Sequence, residues 1–109
     1  MSFNHLDSDC IDHCLACSQI CYSTAVNHCL SAGGKHVEPE HFTLMLNCAK
    51  VCETCAFLQM SNSSFSFHIC KLCADICEAC AENCSTIGDM EECVTACTKC
   101  AESCREMAL

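Results

Sequence analysis

Between Cys70 and Cys84 the chain reads CKLCADICEACAENC, with cysteines at 70, 73, 77, 80 and 84. Steps of three and four residues return side chains to one face of an α-helix, so Cys70, Cys73, Cys77, Cys80 and Cys84 form a single thiol stripe. Lys71, Asp75, Glu78 and Glu82 recur at the same steps and make a charged stripe opposite. The pattern returns as Cys10, Cys14, Cys17 and Cys21, as Cys48, Cys52 and Cys55, and as Cys93, Cys97, Cys100 and Cys104. Each series occupies a and d positions of a heptad, the seam of a helical bundle. Of the 17 cysteines, only Cys29 leaves this register, because the seam of its segment runs on through Thr24 and His28.

A thiolate is a nucleophile and a soft metal ligand. Nucleophilic catalysis needs one thiol activated by one base, and no lone Cys-His pair stands out, so an enzyme is not expected. Packing is the plain alternative, since free cysteine behaves as a small buried hydrophobe. One or two would be explained so; a whole seam would not, because Leu, Ile and Val bury more area without the risk of oxidation. Disulfide staples fit poorly: the number is odd and no export signal is visible in MSFNHLDSDC. Bridging neighbours along a regular helix would also strain bond or backbone. Metal ligation is the expected chemistry.

Ligand type narrows the metal. Structural zinc commonly takes four ligands from paired knuckles, and iron–sulfur clusters are wrapped by cysteine loops such as C-x2-C-x2-C-x3-C-P, a run that does not occur here. Cu(I) is soft and accepts a continuous ladder of thiolates. Two private thiolates per Cu(I) would leave a negative column in a dry core, whereas bridging thiolates approach one ion per cysteine and neutrality. On the order of ten to twenty Cu(I) per chain follows. A Cu(I) store or buffer is thus expected, with a metallothionein-like zinc or cadmium sink, or a structural or thiol-redox bundle, as alternatives.

The elements that must position these ligands are marked by their punctuation. A first helix from about Asp7 to Leu30 stops at Gly33 and Gly34. A second starts near Pro39, beside Glu38 and Glu40, and runs to about Gln59. The loop Ser61 to Ser64 precedes a third helix from about Ser66 to Ser85, closed by Gly88. A fourth starts at Asp89, where Glu92 completes a capping box, and reaches about Met107. Short connections force neighbours antiparallel, which predicts an all-α, up-down-up-down four-helix bundle with a cysteine-lined core, one domain over residues 1–109. A net charge of −9 argues against nucleic acid. No run is long and apolar enough for a membrane span, and a cytoplasmic location is expected.

CIDHCLACSQIC, CAKVCETC, CKLCADICEACAENC and CVTACTKC together resemble the cysteine-rich four-helix-bundle copper storage proteins of the type without an export signal, over nearly the whole chain. The resemblance implies Cu(I) held inside the bundle and assembly as a homotetramer.

Extending the seams gives the two ends of the bundle different characters. His28, His41, Met45 and Met90 converge with Cys84 and Cys93 at one pole, and imidazole and thioether are copper ligands weak enough to pass an ion inward. Leu6, Gln59, Ser66 and Met107 mark the other pole, which reads as closed. His13 flanks the ladder, while His5, His36 and His68 are expected on the surface. In the second helix Glu40, Thr43, Asn47, Lys50 and Thr54 form only a narrow polar stripe. Phe42, Leu44, Leu46, Val51, Ala56, Phe57 and Leu58 flank its cysteines, an apolar width that favours self-association.

Overall fold

The computed structural model describes residues 5–108, with side chains from residue 9 onward; Leu6 and His5, assigned above to a pole and to the surface, lie outside the described side chains. Four long helices form an antiparallel bundle measuring 47 × 21 × 19 Å. The first, α1, comprises His5–Ser23, a π-helical segment Thr24–Cys29 and a last turn Leu30–Ala32. A 3-10 turn, Gly34–Val37, leads to α2, Pro39–Met60; then come α3, Ser66–Ile87, and α4, Glu91–Ala108. Helix α1 packs on α2 and α4, and α3 packs on the same two from the other side.

Local chemistry accounts for the boundaries. Pro39 takes the first helical position of α2, where its missing N–H costs nothing. Gly33 (φ 68°, ψ −158°) ends α1 and Gly88 (φ 88°, ψ 162°) ends α3, both in a region essentially closed to side chains with a Cβ. Helix α4 begins later than its sequence suggests. The Met90 carbonyl accepts the first helical bond, from the Val94 N–H at 3.0 Å, while Asp89 stands outside at φ 56°. The capping box expected of Asp89 and Glu92 is therefore not the start of this helix.

The π-helical segment corrects the register of α1. Leu30 N–H donates to the carbonyl of Ala25, five residues back instead of four. That wide turn absorbs one extra residue and rotates everything after it. The seam passes from Cys21 through Ala25 to Cys29, all three buried, while Thr24 is half-buried and His28 points outward. Cys29, read from its spacing as out of register, lies on the axis.

All seventeen cysteines are buried and free. Ala25, Ala56 and Ala74 pack among them, and the larger aliphatic side chains, Ile11, Ile20, Leu44, Leu46, Ile69 and Ile76, are half-buried around the rim. The usual order of a bundle core is inverted: sulfur occupies the centre and branched hydrocarbon seals the grooves between helices. On α2, Val51 and Ala56 are buried, whereas Phe57 is 69% exposed. Across α3 and α4, Arg105 donates to Asp75 at 2.6 Å and to Glu78 at 2.7 Å on the outer surface.

If the π segment exists to accommodate one residue, deleting exposed Asn27 converts it to regular helix with Cys29 seven positions from Cys21 and still on the seam. The deletion variant is expected to keep full helicity and at least wild-type resistance to urea, by circular dichroism of the reduced protein. Deleting Ala16 from the regular part of α1 is expected to unfold it.

Candidate metal centre

The sulfurs are close enough to share ions. Cys52 Sγ lies 3.4 Å from Cys77, Cys21 3.5 Å from Cys97, Cys100 3.6 Å from Cys14 and Cys55 3.7 Å from Cys70. Further contacts run from Cys10 to Cys104 at 3.9 Å and from Cys48 to Cys97 at 3.8 Å, so the network passes from one end of the column toward the other. Metal–thiolate bonds of about 2.3 Å would allow two sulfurs on one ion to stand up to about 4.6 Å apart. The sulfurs in contact therefore stand at separations that ligands of one ion can have.

The sulfurs fall into overlapping groups. Cys14, Cys55, Cys73 and Cys104 come one from each helix, as do Cys17, Cys52, Cys77 and Cys100; Cys17 also belongs with Cys21, Cys48 and Cys97, and Cys104 with Cys10 and Cys70. In each group the ligand atoms lie within 4.8 Å of one another. Cys17 and Cys104 each serve two groups, which is the arrangement a bridging thiolate requires.

Protons are unevenly held in this column. A thiol beside another can give up its proton only at its neighbour's expense, and burial penalises every thiolate. Contact with Cys10 holds the Cys14 proton far above the ordinary thiol range, and contacts with Cys17 and Cys100 do the same for Cys21 and Cys52. Hydrogen bonds from Cys100 and Cys104 draw Cys17 and Cys55 down. Cys93 is lowered to about 3, chiefly through Cys21 and Cys84.

The two poles differ as follows. At one, Cys29 Sγ meets Met45 Sδ at 3.7 Å, His41 Nε2 at 3.8 Å, His36 Nδ1 at 3.9 Å and Met90 Sδ at 4.0 Å. Met45 and Met90 are buried there, as is His41, at 2% exposure. His28 stays outside with its ring edge-on to His36, centroids 5.0 Å apart. The four residues inferred from the extended seams are thus split, three inside and one out. Cys29 and His36, which the extended seams do not reach, complete the cluster. His36, expected on the surface, is half-buried on the 3-10 turn, its N–H bonded to the Gly33 carbonyl. Beside Met90 opens a recess of about 280 Å³ lined in part by Cys84, Asp89 and Glu91.

At the other pole Gln59, 5% exposed, covers the column. Its Nε2 donates to Cys55 at 3.4 Å, Cys10 at 3.5 Å and Cys14 at 3.8 Å, while its Oε1 is buried without a hydrogen-bond partner. Ser66 is turned to the Leu58 carbonyl at 3.4 Å, and Met107 is half-buried against the core. His13, beside the ladder, bonds Ser103 through Nδ1 instead of a cysteine. His68 is exposed, its ring 6.3 Å from that of Phe65.

Because Cys14, Cys21 and Cys52 hold protons above their ordinary value of 9.0, the folded chain binds more protons there than the unfolded one once the pH passes that value. Their stabilising effect is whole below it and is lost as pH rises through the raised values. The urea midpoint of the reduced, metal-free protein is expected to fall between about pH 9 and about pH 11, whereas protein filled with Cu(I) has no thiol proton left to lose and should hold its midpoint.

Comparison with known proteins agrees with this geometry. The family model described as copper storage protein matches residues 4–109. The crystal structure of the Nmul_A1745 protein from Nitrosospira multiformis superposes with a TM-score of 0.95 at 49% identity, covering 97% of each chain. The Cu(I)-bound copper storage protein BsCsp3 gives 0.88 at 34% identity, over 96% of this chain and 100% of that one. The apo form of copper storage protein 3 from Bacillus subtilis gives 0.75 at 34% identity, over 92% and 96%. No curated protein matches closely enough to add to these likenesses. By its cysteine column, its fold and its match along almost the whole length, the chain belongs to the copper storage protein family.

Proposed function

We propose that residues 1–109 act as one unit that stores or buffers Cu(I), holding many ions per chain on thiolates inside the bundle. The observation that carries this reading is the sharing of Cys17 and Cys104 between adjacent sulfur groups. Shared sulfurs let ions approach one per thiolate, which leaves the column neutral. Four thiolates on one divalent ion leave two negative charges in a dry core, the arrangement a buried site resists. The family's printed description and the Cu(I)-bound relative support the same cargo. The storage ligands in this reading are the sixteen cysteines of the four seams, with Cys29 standing apart among the donors of the entrance pole.

The pole formed by His41, Met45 and Met90, with Cys29 and His36 beside them and His28 on the outer surface, serves as the way in. Thioethers and imidazoles there bind Cu(I) more loosely than the thiolates behind them. Gln59 closes the opposite end. The exposed Phe57 and its half-buried neighbours on α2 support self-association, and the family resemblance points to a homotetramer. Among the described residues no helix is long and apolar enough to cross a membrane, and a cytoplasmic role as a store without catalysis is the setting we assign.

Anaerobic titration of reduced protein with Cu(I) against a competing chelator decides the cargo. The endpoint is expected well above one ion per two cysteines, and zinc should saturate far lower. One or two Cu(I) per chain would reject storage.

Replacing His28, His41, Met45 and Met90 by leucine is expected to slow loading and chelator-driven removal in stopped-flow experiments while changing capacity by no more than about one ion per chain, since the weaker ligands lie outside the thiolate column. The matched control replaces Gln59, Ser66 and Met107. Equal rates in both variants and wild type would make the first pole mere packing.

A further inference from the structure

The donors around Cys29 differ in kind from those of the column. Sulfurs along the column have other thiols at 3.4–4.0 Å, for example Cys77 beside Cys52 and Cys104 beside Cys55. A Cu(II) ion arriving among them would be reduced at their expense, two Cu(II) taking two electrons as two neighbouring thiolates join in a disulfide. Around Cys29 the described side-chain contacts are His36, His41, Met45 and Met90, with no second thiol among them. A thioether cannot close a disulfide, and Cys93 and Cys80 reach Cys29 only through their charge and not by contact, so this thiolate can face an oxidised ion with no coupling partner beside it.

The imidazoles are also prepared for metal. Asn83 of α3 meets His41 Nδ1 through its carbonyl oxygen, which can only accept. His41 Nδ1 therefore carries the hydrogen, and its Nε2 lone pair is the one directed at Cys29. His36 reaches in from the 3-10 turn, and the ligand atoms of Cys29, His36 and His41 lie within 4.8 Å of one another. One thiolate, two imidazoles and a weak thioether are the donors of copper sites that cycle between Cu(I) and Cu(II).

We propose that Cys29, His36 and His41, with Met45 or Met90 as a weak further ligand, form a single-copper site, separate from the thiolate column, that holds copper as Cu(II) as well as Cu(I). The proposal rests on the copper-storage reading. In the redox step one electron leaves the bound Cu(I) for an external one-electron acceptor. The ion becomes Cu(II), the Cys29 sulfur remains its ligand, and no proton moves. Asn83 acts as a positioning residue through His41.

The test treats Cu(I)-saturated protein with ferricyanide under anaerobic conditions, with total copper capacity measured on the same sample. The expected result is one Cu(II) per chain, seen as an electron paramagnetic resonance signal together with an intense visible thiolate-to-Cu(II) absorption. Cys29→Ser should abolish the absorption, and His36→Ala, a change on an outer turn, should abolish or strongly alter both signals. Asn83→Ala should change the resonance parameters without removing the absorption. Full Cu(I) capacity with no Cu(II) signal, or with oxidant consumed only in disulfide formation, overturns the site and leaves storage standing. A Cu(II) signal unchanged by Cys29→Ser also overturns it. Should Cu(I) capacity itself prove small, the storage reading fails and Co(II) titration of the metal-free protein decides the site. One Co(II) with single-thiolate charge transfer that is lost in Cys29→Ser and His36→Ala upholds it, and tetrathiolate signatures alone overturn it.

Discussion

Everything in this molecule follows from the need to line up small, weakly polar thiols along one dry axis. Cysteine fills less space than leucine, and a core of cysteine and alanine draws four helices close. The larger aliphatic groups are thereby forced outward into the grooves, where Ile11, Ile20, Ile69 and Ile76 are only partly covered. The thiols that hold their protons, Cys14, Cys21 and Cys52 among them, make this tolerable when the column is empty, because they bury as apolar groups. Metal makes it tolerable when the thiols are ionised, because each positive charge replaces a proton. Folding and loading thus draw on the same sulfur contacts.

Much of this was legible in the sequence, because a stripe at steps of three and four is a statement about helical geometry. The four helices, their antiparallel order and the burial of the repeated cysteines follow from it, and Gly33, Gly88 and Pro39 mark their ends through backbone constraints alone. Cys29 escaped because periodicity assumes a constant turn. A π-helical turn costs one residue and carries no composition of its own. The available signal was the anomaly itself: a lone cysteine off the seam, reached from Cys21 through Ala25 in two steps of four, asks for one extra residue in the turn.

His36 was illegible for a different reason. Its position depends on the path of a short connection, and hydrophobic periodicity says nothing about a 3-10 turn. His28 shows the converse effect: it reaches the expected pole, lining a recess with Met90 and Cys93, but the wider turn swings it to the outer surface and off the seam. Asp89 and Glu92 have the right letters for a capping box, but the positive φ at Asp89 moves the true start of α4 onward. In each case the sequence pattern was local and the deciding event lay in the neighbouring turn.

The covered end of the bundle has a chemical consequence beyond closure. A primary amide is a donor at one end and an acceptor at the other, and Gln59 presents its NH₂ to Cys10, Cys14 and Cys55 while its oxygen is left idle. Rotated by half a turn, the same group would offer that oxygen to S–H bonds. A carboxylate could greet only protonated sulfur, an ammonium only ionised sulfur, and a hydrocarbon neither. Glutamine is the stopper that suits the column both full and empty, so this end need not change shape as the charge beneath it comes and goes.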